Sequence, residues 1–346
     1  MDSSPTPPAY DHYRSTLSPT MDIGAGFYLL FITVFSIMGN LLVLVMAFSR
    51  SSRMKPPELL SVNLAVTDLG AAVTMYPLAV ASAWSHRFLG GDAACLYYGL
   101  AGFFFGVASI MNLTVLAIVR FVVSMGLQSP KDKVSWRHVK LLCSWSWLYA
   151  LVWALMPVLG WGQYGPEPFG LSCSLAWGRL RSEDSSFVVA MFSFNLALPA
   201  AVIVCCYFGI AIKLYVTYKK SLGHGRRIPN VLKMHRRLFT MAVLISLSFI
   251  VCWSPYSIVS MWSAIGPGSS IPPQLSVLPC MFAKSSTACN PVIYYIFSQS
   301  FKREVKQVMR CRPGLNQCCG GEDAERAKEG ASQSGSKGEG GATTQV

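Results

Sequence analysis

Long apolar stretches separated by short polar segments make up most of the chain. Each stretch has about 20 residues or more, which is enough for an α-helix to cross a hydrocarbon layer of about 30 Å. The pattern therefore predicts an all-α membrane protein, a bundle of seven transmembrane helices. The predicted spans, numbered 1 to 7, are residues 22–49, 59–84, 96–119, 139–160, 187–212, 238–264 and 274–297.

The composition supports this prediction and divides the chain into three parts. Of the 346 residues, 52% are hydrophobic and 13% are charged, which is too little charge for a soluble protein of this size. Residues 1–21 are polar and proline-rich, without the pattern of a cleavable signal peptide, and are expected to form an extracellular N-terminal segment. Residues 22–312 form the helical domain. Residues 313–346, rich in Gly, Ser and charges, predict a disordered cytoplasmic tail.

The net charge of +13 indicates membrane topology rather than nucleic-acid binding. Under the seven-span arrangement, 24 of the 29 Lys and Arg residues fall on one side of the membrane, four on the other, and Lys284 within a span. Positive residues concentrate on the cytoplasmic side of membrane proteins. We therefore expect a cell-membrane protein with its N-terminus outside, and a basic inner face suited to a cytoplasmic partner.

The cysteines separate into an outer and an inner group. Cys95 and Cys173 fall at or beyond the outer ends of spans, where an oxidising environment favours a single structural disulfide between them. Three more cysteines lie just past span 7 on the inner side, where either acylation or plain reduced thiols would fit: Cys311, Cys318 and Cys319.

Charged residues are scarce within the apolar spans. Asp68 lies about midway along span 2, Arg120 closes span 3, and Lys284 interrupts span 7. Each charge at mid-membrane costs ~3 kcal/mol on insertion scales, so each is a candidate functional residue. Lys284 is about 13 residues from the inner end of span 7, which is ~20 Å of helix. That depth argues against a lysine that extends its amine to the membrane surface.

Six motifs in order resemble those of rhodopsin-like G-protein-coupled receptors, over about residues 25 to 312. They are Asn40, LAVTD ending at Asp68, Trp147, Pro199, CWSPY at 252–256 and NPVIY at 290–294. Lys284, six residues before Asn290, narrows the resemblance to the opsins, where a lysine at this position bonds retinal. The resemblance implies a Schiff base between the primary amine and the retinal aldehyde.

A protonated Schiff base in low dielectric needs a nearby anion. The resemblance places Asp68 in the cytoplasmic half of the receptor, with a sodium and water cluster. Tyr98, three residues after Cys95, stands where many vertebrate visual pigments have an acid. The resemblance therefore implies the second opsin arrangement, in which Glu167, six residues before Cys173, is the counterion. The alternative is an exposed loop acid, but the flanking sequence EPFGLSC is apolar.

The combination of Tyr98 and Glu167 resembles opsins whose photoproduct keeps its chromophore, and the loop is most similar to the neuropsin (opsin-5-like) branch. One sub-branch has a cysteine just after the disulfide cysteine that forms an adduct with retinal. Here that residue is Ser174, so thiol adduct chemistry is not predicted.

The resemblance also assigns the rest of the retinal pocket. Small residues would make room for the polyene and aromatic residues would hold it, although an aromatic stripe by itself is more often ordinary core. The assigned residues are Tyr98, Gly102, Phe103 and Gly106 on span 3, Met191 and Phe192 on span 5, and Trp253 and Tyr256 on span 6.

The inner ends of the spans contain residues that the resemblance assigns to activation: Asp68, Arg120, Tyr207, Asn290, Pro291 and Tyr294. Arg120 departs from the family pattern, because its usual acidic neighbour is Val119. His235 likewise stands where visual pigments often have a second acid. Our hypothesis is that the resting state is less firmly locked, or that coupling is altered.

The segment after span 7 predicts a short amphipathic cytoplasmic helix on the inner leaflet. Its apolar face is Phe301, Val305, Val308 and Met309, and its basic face is Lys302, Arg303, Lys306 and Arg310.

These observations predict a light-sensing opsin, not an enzyme, that switches a heterotrimeric G protein; arrestin and a receptor kinase are further partners that the resemblance implies. No metal or nucleotide motif is visible, since the five histidines are scattered. Three alternatives stay open: a retinal photoisomerase, a receptor for a diffusible ligand, which leaves Lys284 unexplained, and a transporter or channel, for which Asp68 and Lys284 are poorly arranged.

Overall fold

The computed structural model describes residues 11–49, 51–126, 134–177, 185–223, 230–265, 271–298, 301–303 and 305–306. They belong to two units that divide after Ser298. The helices of the first unit are α1 (Pro19–Ser49), α2 (Leu59–Thr74), α3 (Tyr76–Trp84), α4 (Gly91–Met125), α5 (Trp136–Leu155), α6 (Ser185–Phe192), α7 (Leu198–Gly223), α8 (Asn230–Ile265), α9 (Pro273–Lys284) and α10 (Ser286–Phe297). Strands β1 (Tyr164–Pro166) and β2 (Cys173–Leu175) form a hairpin, and a π-helical turn, Ser193–Ala197, joins α6 to α7.

These helices form the seven predicted spans, so the seven-helix fold is confirmed. Span 2 is interrupted at Met75 and span 7 at Ser285, which leaves α2 with α3, and α9 with α10, as paired half-helices. In the described part of the chain, five helices are long and apolar enough to cross a membrane by length and composition: Pro19–Ser49, Pro56–Trp84, Gly91–Met125, Ser185–Gly223 and Leu232–Ala264. The other two spans are α5, whose first turn carries Arg137 and Lys140, and the interrupted pair of α9 and α10.

Some predicted boundaries were wrong, for two physical reasons. The helix of span 4 ends at Leu155 rather than at residue 160, because Pro157 cannot donate the hydrogen bond that would continue it. Spans 5 and 6 continue as helix to Gly223 and from Asn230, well beyond the predicted ends. Apolar patterning marks the part of a helix that lies in lipid, whereas the helix itself extends into water.

Helix α4 lies at the centre of the bundle, packed on α2, α5, α7 and α8. Small side chains permit close helix packing, and Ala72, Ala117 and Ala150 are fully buried. Large apolar side chains cover the outside instead: Phe48 is 83% exposed and Leu159 is 80% exposed. This inverted distribution is expected of a surface that faces lipid.

Two of the sequence motifs provide hydrogen bonds between helices. The Asn40 amide donates to the carbonyls of Ser36 and Thr287, both at 2.9 Å, and so joins α1 to α10. Trp147 Nε1 donates to Asn63 Oδ1 at 2.8 Å and joins α5 to α2. Buried polar groups in a membrane bundle have no water to bond, so such pairs fix how the helices meet.

The plug loop, residues 161–177, packs against α4 through its two strands. The predicted Cys95–Cys173 disulfide is present and attaches β2 to the outer end of α4. The N-terminal segment lies over the loop, where the backbone amide of Thr16 donates to the Phe169 carbonyl at 3.3 Å. Gly170 has φ +74°, and a Cβ there would overlap the backbone of Arg14, so glycine is required.

The second unit is described over residues 301–303 and 305–306, which are helical. Phe301 and Val305 are buried, whereas Arg303 and Lys306 are exposed. This alternation at helical spacing fits the predicted amphipathic helix. The other residues named for this region lie outside the described residues: Val308, Met309, Arg310, Cys311, Cys318 and Cys319.

Removal of the disulfide is expected to destabilise the protein. A link across 78 residues restricts the unfolded chain, and loss of a native disulfide costs about 2–5 kcal/mol. Cys173→Ser should therefore lower the apparent Tm in detergent, and Cys95→Ser/Cys173→Ser should lower it by a similar amount. Cys143→Ser, which removes a buried free thiol of α5, is the control. An unchanged Tm in both disulfide variants would contradict the prediction.

Candidate functional site

A cavity of about 190 Å³ lies between α4, α8, α9 and the plug loop, with α2, α3 and the α6–α7 segment completing its wall. Most of its lining is apolar or aromatic. Every residue that the sequence assigned to the retinal pocket lines this cavity: Tyr98, Gly102, Phe103, Gly106, Glu167, Met191, Phe192, Trp253, Tyr256 and Lys284. The structure thus brings the whole set together, while the role of each member in binding retinal stays a prediction.

Lys284 is the last residue of α9, at the interruption of span 7. Its freed carbonyl accepts hydrogen bonds from the hydroxyls of Tyr76 and Thr287, both at 3.0 Å, which stabilise the break. Its Nζ donates to Cys280 Sγ at 3.2 Å and lies 5.6 Å from the centroid of the Tyr98 ring. Among the described residues, no ion pair joins the amine to an acid.

Glu167 follows β1 and is held firmly in the plug loop. Its backbone amide donates to the Ser172 carbonyl at 2.8 Å, and its side chain is 7% exposed. Oε1 accepts hydrogen bonds from Ser174 Oγ at 2.6 Å and from the Tyr256 hydroxyl at 2.8 Å. Burial raises the pKa of Glu167, and these hydrogen bonds and the charge of Lys284 oppose that rise without cancelling it.

Trp253 is fixed from three sides. Its Nε1 donates to Ser286 Oγ at 3.1 Å, its ring stacks on Phe249 with centroids 5.5 Å apart, and it meets Tyr256 edge to face at 6.1 Å. A Cβ at Gly106 would lie 3.2 Å from the edge of the Trp253 ring. Glycine at position 106 therefore leaves room for the tryptophan beside the cavity.

Sequence reasoning missed several side chains that act on the predicted ones. Cys280 contacts the amine because it lies one helical turn before Lys284, and this spacing of four residues was a usable signal. Ser174 was considered as the replacement for a cysteine, not as a hydrogen-bond donor to Glu167. Trp177 Nε1 donates to the Tyr256 hydroxyl at 3.3 Å, a contact with no visible signal in the sequence.

Asp68 lies away from the cavity. It is 3% exposed and accepts a hydrogen bond from Asn290 Nδ2 at 2.7 Å, which joins α2 to α10. Pro291 and Tyr294, on the same helix α10, are buried. Tyr207, on α7, donates to the Ala242 carbonyl at 3.1 Å and lies 2.9 Å from Ser246 Oγ.

Arg120 has no ion-pair partner among the described residues. The preceding residue, Val119, is buried and apolar, and Arg120 Nε is buried without a hydrogen bond. Glu58 lies in a short turn, Pro56–Glu58, that packs on α4, and it makes no ion-pair contact with Arg120. The sequence signal for Glu58, an acid in the short segment KPPELL, was overlooked.

The chemistry of the lining fits retinal. The described lining is mostly apolar, contains one primary amine, and includes a buried carboxyl group. These are the requirements of a hydrophobic aldehyde whose bond to lysine carries a proton.

Residues 39–294 match the family model described as 7 transmembrane receptor (rhodopsin family), so the fold and the site define a receptor of that class. Opsin-5 of Mus musculus is 37% identical over 297 residues, covering 84% of this chain and 78% of its own. The visual pigment-like receptor peropsin of Homo sapiens is 32% identical over 287 residues, covering 82% and 84%. The crystal structure of squid rhodopsin matches with a TM-score of 0.79 and 26% identity over 98% of each chain. Our chain belongs to the opsin family.

Proposed function

We propose that this protein is a light-sensing receptor that holds retinal covalently at Lys284 and activates a heterotrimeric G protein when illuminated. The observation that carries the proposal is the amine of Lys284 facing the same apolar cavity as the buried acid Glu167, in a chain of the opsin family.

The chain's own residues prepare the amine for this role. Bound retinal supplies an aldehyde for the Lys284 amine and a polyene that light isomerises. Cys280 and the face of Tyr98 orient Nζ toward the cavity. The apolar lining excludes water that would hydrolyse the bond. Glu167, fixed by Ser174 and Tyr256, holds a proton at Lys284 Nζ through its negative charge.

A path of direct contacts leads from the cavity to the inner half of the bundle. Trp253 donates a hydrogen bond to Ser286, the first residue of α10. Helix α10 is in turn joined to α2 by the hydrogen bond from Asn290 to Asp68. A displaced Trp253 would thus change how α8 and α10 pack. Light provides the free-energy difference between two such arrangements that a diffusible ligand provides in other receptors.

Positive charge supports a topology with the N-terminus outside the cell. Arg14 and Arg87 pair in a backbone bridge at the end of the bundle that carries the plug loop. The concentrated Lys and Arg residues of the opposite end would then face the cytoplasm, where the G protein binds.

The test is light-dependent nucleotide exchange. Purified protein in lipid nanodiscs, loaded with retinal, is mixed with purified G proteins of each main class, and GTPγS uptake is followed in darkness and light. The proposal expects faster uptake in light for at least one class. A light-sensitive pigment that accelerates none of them would overturn the coupling part.

A retinal photoisomerase is the second candidate, and the observation that favours it is Val119 beside an Arg120 with no ion pair to a described acid. Such an enzyme would release an isomerised retinal on illumination, without nucleotide exchange. Extraction of the retinoids after illumination, with chromatography of the bound and released isomers, distinguishes the two.

An acid placed beside Arg120 is expected to lower the rate of nucleotide exchange that the receptor promotes in darkness. Val119→Glu places a carboxylate next to the guanidinium, but position 119 is buried, so the loss of hydration offsets much of the attraction between the two charges. A net gain of ~1 kcal/mol should lower dark exchange roughly fivefold. Val119→Gln has the same shape without the charge and is the matched control. Identical rates of nucleotide exchange in darkness for the parent and Val119→Glu would contradict the hypothesis of a weakly locked resting state.

A further inference from the structure

The cavity wall contains a buried amide that no protein group satisfies. Asn195 lines the cavity and is 6% exposed, yet neither its Nδ2 nor its Oδ1 has a hydrogen-bond partner within the described residues. Leaving a buried polar group unpaired costs about 1–3 kcal/mol. Such a group in a binding cavity indicates that something else in the cavity pairs with it.

The local sequence explains why Asn195 lies on this wall. Pro199 has no amide hydrogen, so it cannot bond the Asn195 carbonyl four residues earlier, and the chain forms a π-helical turn over Ser193–Ala197. The Leu198 amide donates to the Ser193 carbonyl, and the Tyr149 hydroxyl donates to the Phe194 carbonyl at 3.2 Å. The turn is therefore held from outside, and π turns of this kind occur frequently at functional sites.

The elements that hold Asn195 and Lys284 share none of the main packing contacts of the bundle, which places the two residues toward opposite ends of the cavity. Lys284 ends α9, which packs on α8, α1 and α10, whereas the π turn packs on α4, α6 and α7. The aromatic rings of Trp253 and Phe249 stack between these ends: Trp253 bonds Ser286 near the amine, and Phe249 packs in the same apolar cluster as Leu196, the neighbour of Asn195. A retinoid bonded through its aldehyde end has its ring at the other end of the molecule, which is the end that Asn195 faces.

We propose that Asn195 forms a subsite for an oxygen substituent on the ring, so that the preferred ligands are retinoids with a ring hydroxyl or keto group. The amide offers an NH2 group as donor and a carbonyl oxygen as acceptor, and a hydroxyl can pair with either. The cluster beside it, including Val107, Leu196 and Phe249, is apolar, so an unsubstituted ring would leave the amide buried and unpaired. This inference rests on the proposed function, since it assumes that the cavity takes a retinoid.

Ring fragments test the subsite without the bond to lysine. Purified full-length protein, free of retinal and in darkness, is titrated with β-ionone and with 3-hydroxy-β-ionone, and each Kd is measured from tryptophan fluorescence. One net hydrogen bond predicts that the hydroxylated fragment binds the parent roughly 2- to 12-fold more tightly. Asn195→Leu should reverse this preference, because the hydroxyl then enters an apolar site.

Asn112→Leu is the matched control, since Asn112 is also a buried asparagine with an unpaired amide but does not line the cavity. It should keep the preference of the parent. Asn195→Ala serves as a second variant if Asn195→Leu does not fold. Equal Kd ratios in the parent and the Asn195 variants, as expected if a water satisfies the amide, would overturn the proposal, and so would failure of both fragments to bind the parent.

The result is separable from the proposed function. The same titration in Lys284→Ala needs no covalent bond, so the subsite can be established even if no light-sensitive pigment forms. Conversely, if the protein forms a light-sensitive pigment but binds both ring fragments equally well, the proposed function stands and the proposed subsite is wrong.

Discussion

Lys284→Ala is expected to abolish the light-sensitive absorption band completely. The described part of the cavity wall presents one primary amine, and alanine leaves the retinal aldehyde without a bonding partner. Purified parent and variant are incubated with 11-cis and with all-trans retinal, and spectra are recorded in darkness and after illumination. The parent should develop a band that shifts with light, and the variant should show the spectrum of free retinal alone.

Two controls separate loss of the amine from loss of charge or fold. Lys284→Arg keeps a positive charge but has no primary amine, so it too should lack the band. Lys213→Ala removes a lysine of α7 that does not line the cavity, and should keep it. A full light-sensitive band in Lys284→Ala would refute covalent binding at this residue and leave a seven-helix receptor whose lysine has another role.

The helical bundle was predictable because lipid imposes a simple rule. A chain that crosses a hydrocarbon layer must satisfy its backbone within the segment, so each crossing appears as about 20 apolar residues. The interruptions were not predictable from apolarity. The break at Met75 precedes Pro77, which has no amide hydrogen to bond the Val73 carbonyl. The break at Ser285 is stabilised by hydrogen bonds from Tyr76, on another helix, and from Thr287 to the Lys284 carbonyl.

Residues of the site could be predicted where a charge interrupts an apolar span or where the residue belongs to a family motif. Lys284 stands out as a charge in an apolar span, and the family pattern identified Glu167 six residues before Cys173. Asn195 carries no charge and belongs to no motif that we used. Its importance depends on the π turn that aims it at the cavity and on the lack of a described partner, and both are properties of the folded chain.

The inner end of the bundle shows the same limit. The sequence indicated that Arg120 lacks its usual acidic neighbour, which follows directly from Val119. It did not indicate that the turn carrying Glu58, more than 60 residues earlier in the chain, packs on α4. A local motif shows that the acid next to Arg120 is missing. Which other acid the fold brings to the same end of the bundle depends on how the helix ends pack.

Glu167→Gln is expected to lower the pH at which the pigment loses its proton from Lys284 Nζ. The Glu167 carboxylate lines the same cavity as Lys284, and its negative charge favours the protonated form of Lys284 Nζ. A close opposite charge shifts a pKa by about 1–3 units, and glutamine removes that charge. The measurement is a spectrophotometric titration of the retinal-loaded protein, because the protonated form absorbs in the visible range and the deprotonated form in the ultraviolet. The midpoint of the variant should lie about 1–3 units below that of the parent.

The acid side of the titration and two matched variants complete the test. Because burial raises the pKa of Glu167, its negative charge is lost as the pH falls through that raised value; the parent should therefore show an acid-side spectral transition that Glu167→Gln lacks. Glu167→Asp keeps the charge and should stay closer to the parent. Asp68→Asn makes the same acid-to-amide change outside the cavity, beside Asn290, and should leave the midpoint unchanged. If Glu167→Gln titrates like the parent while Asp68→Asn shifts, the counterion is Asp68 and the assignment of Glu167 is wrong.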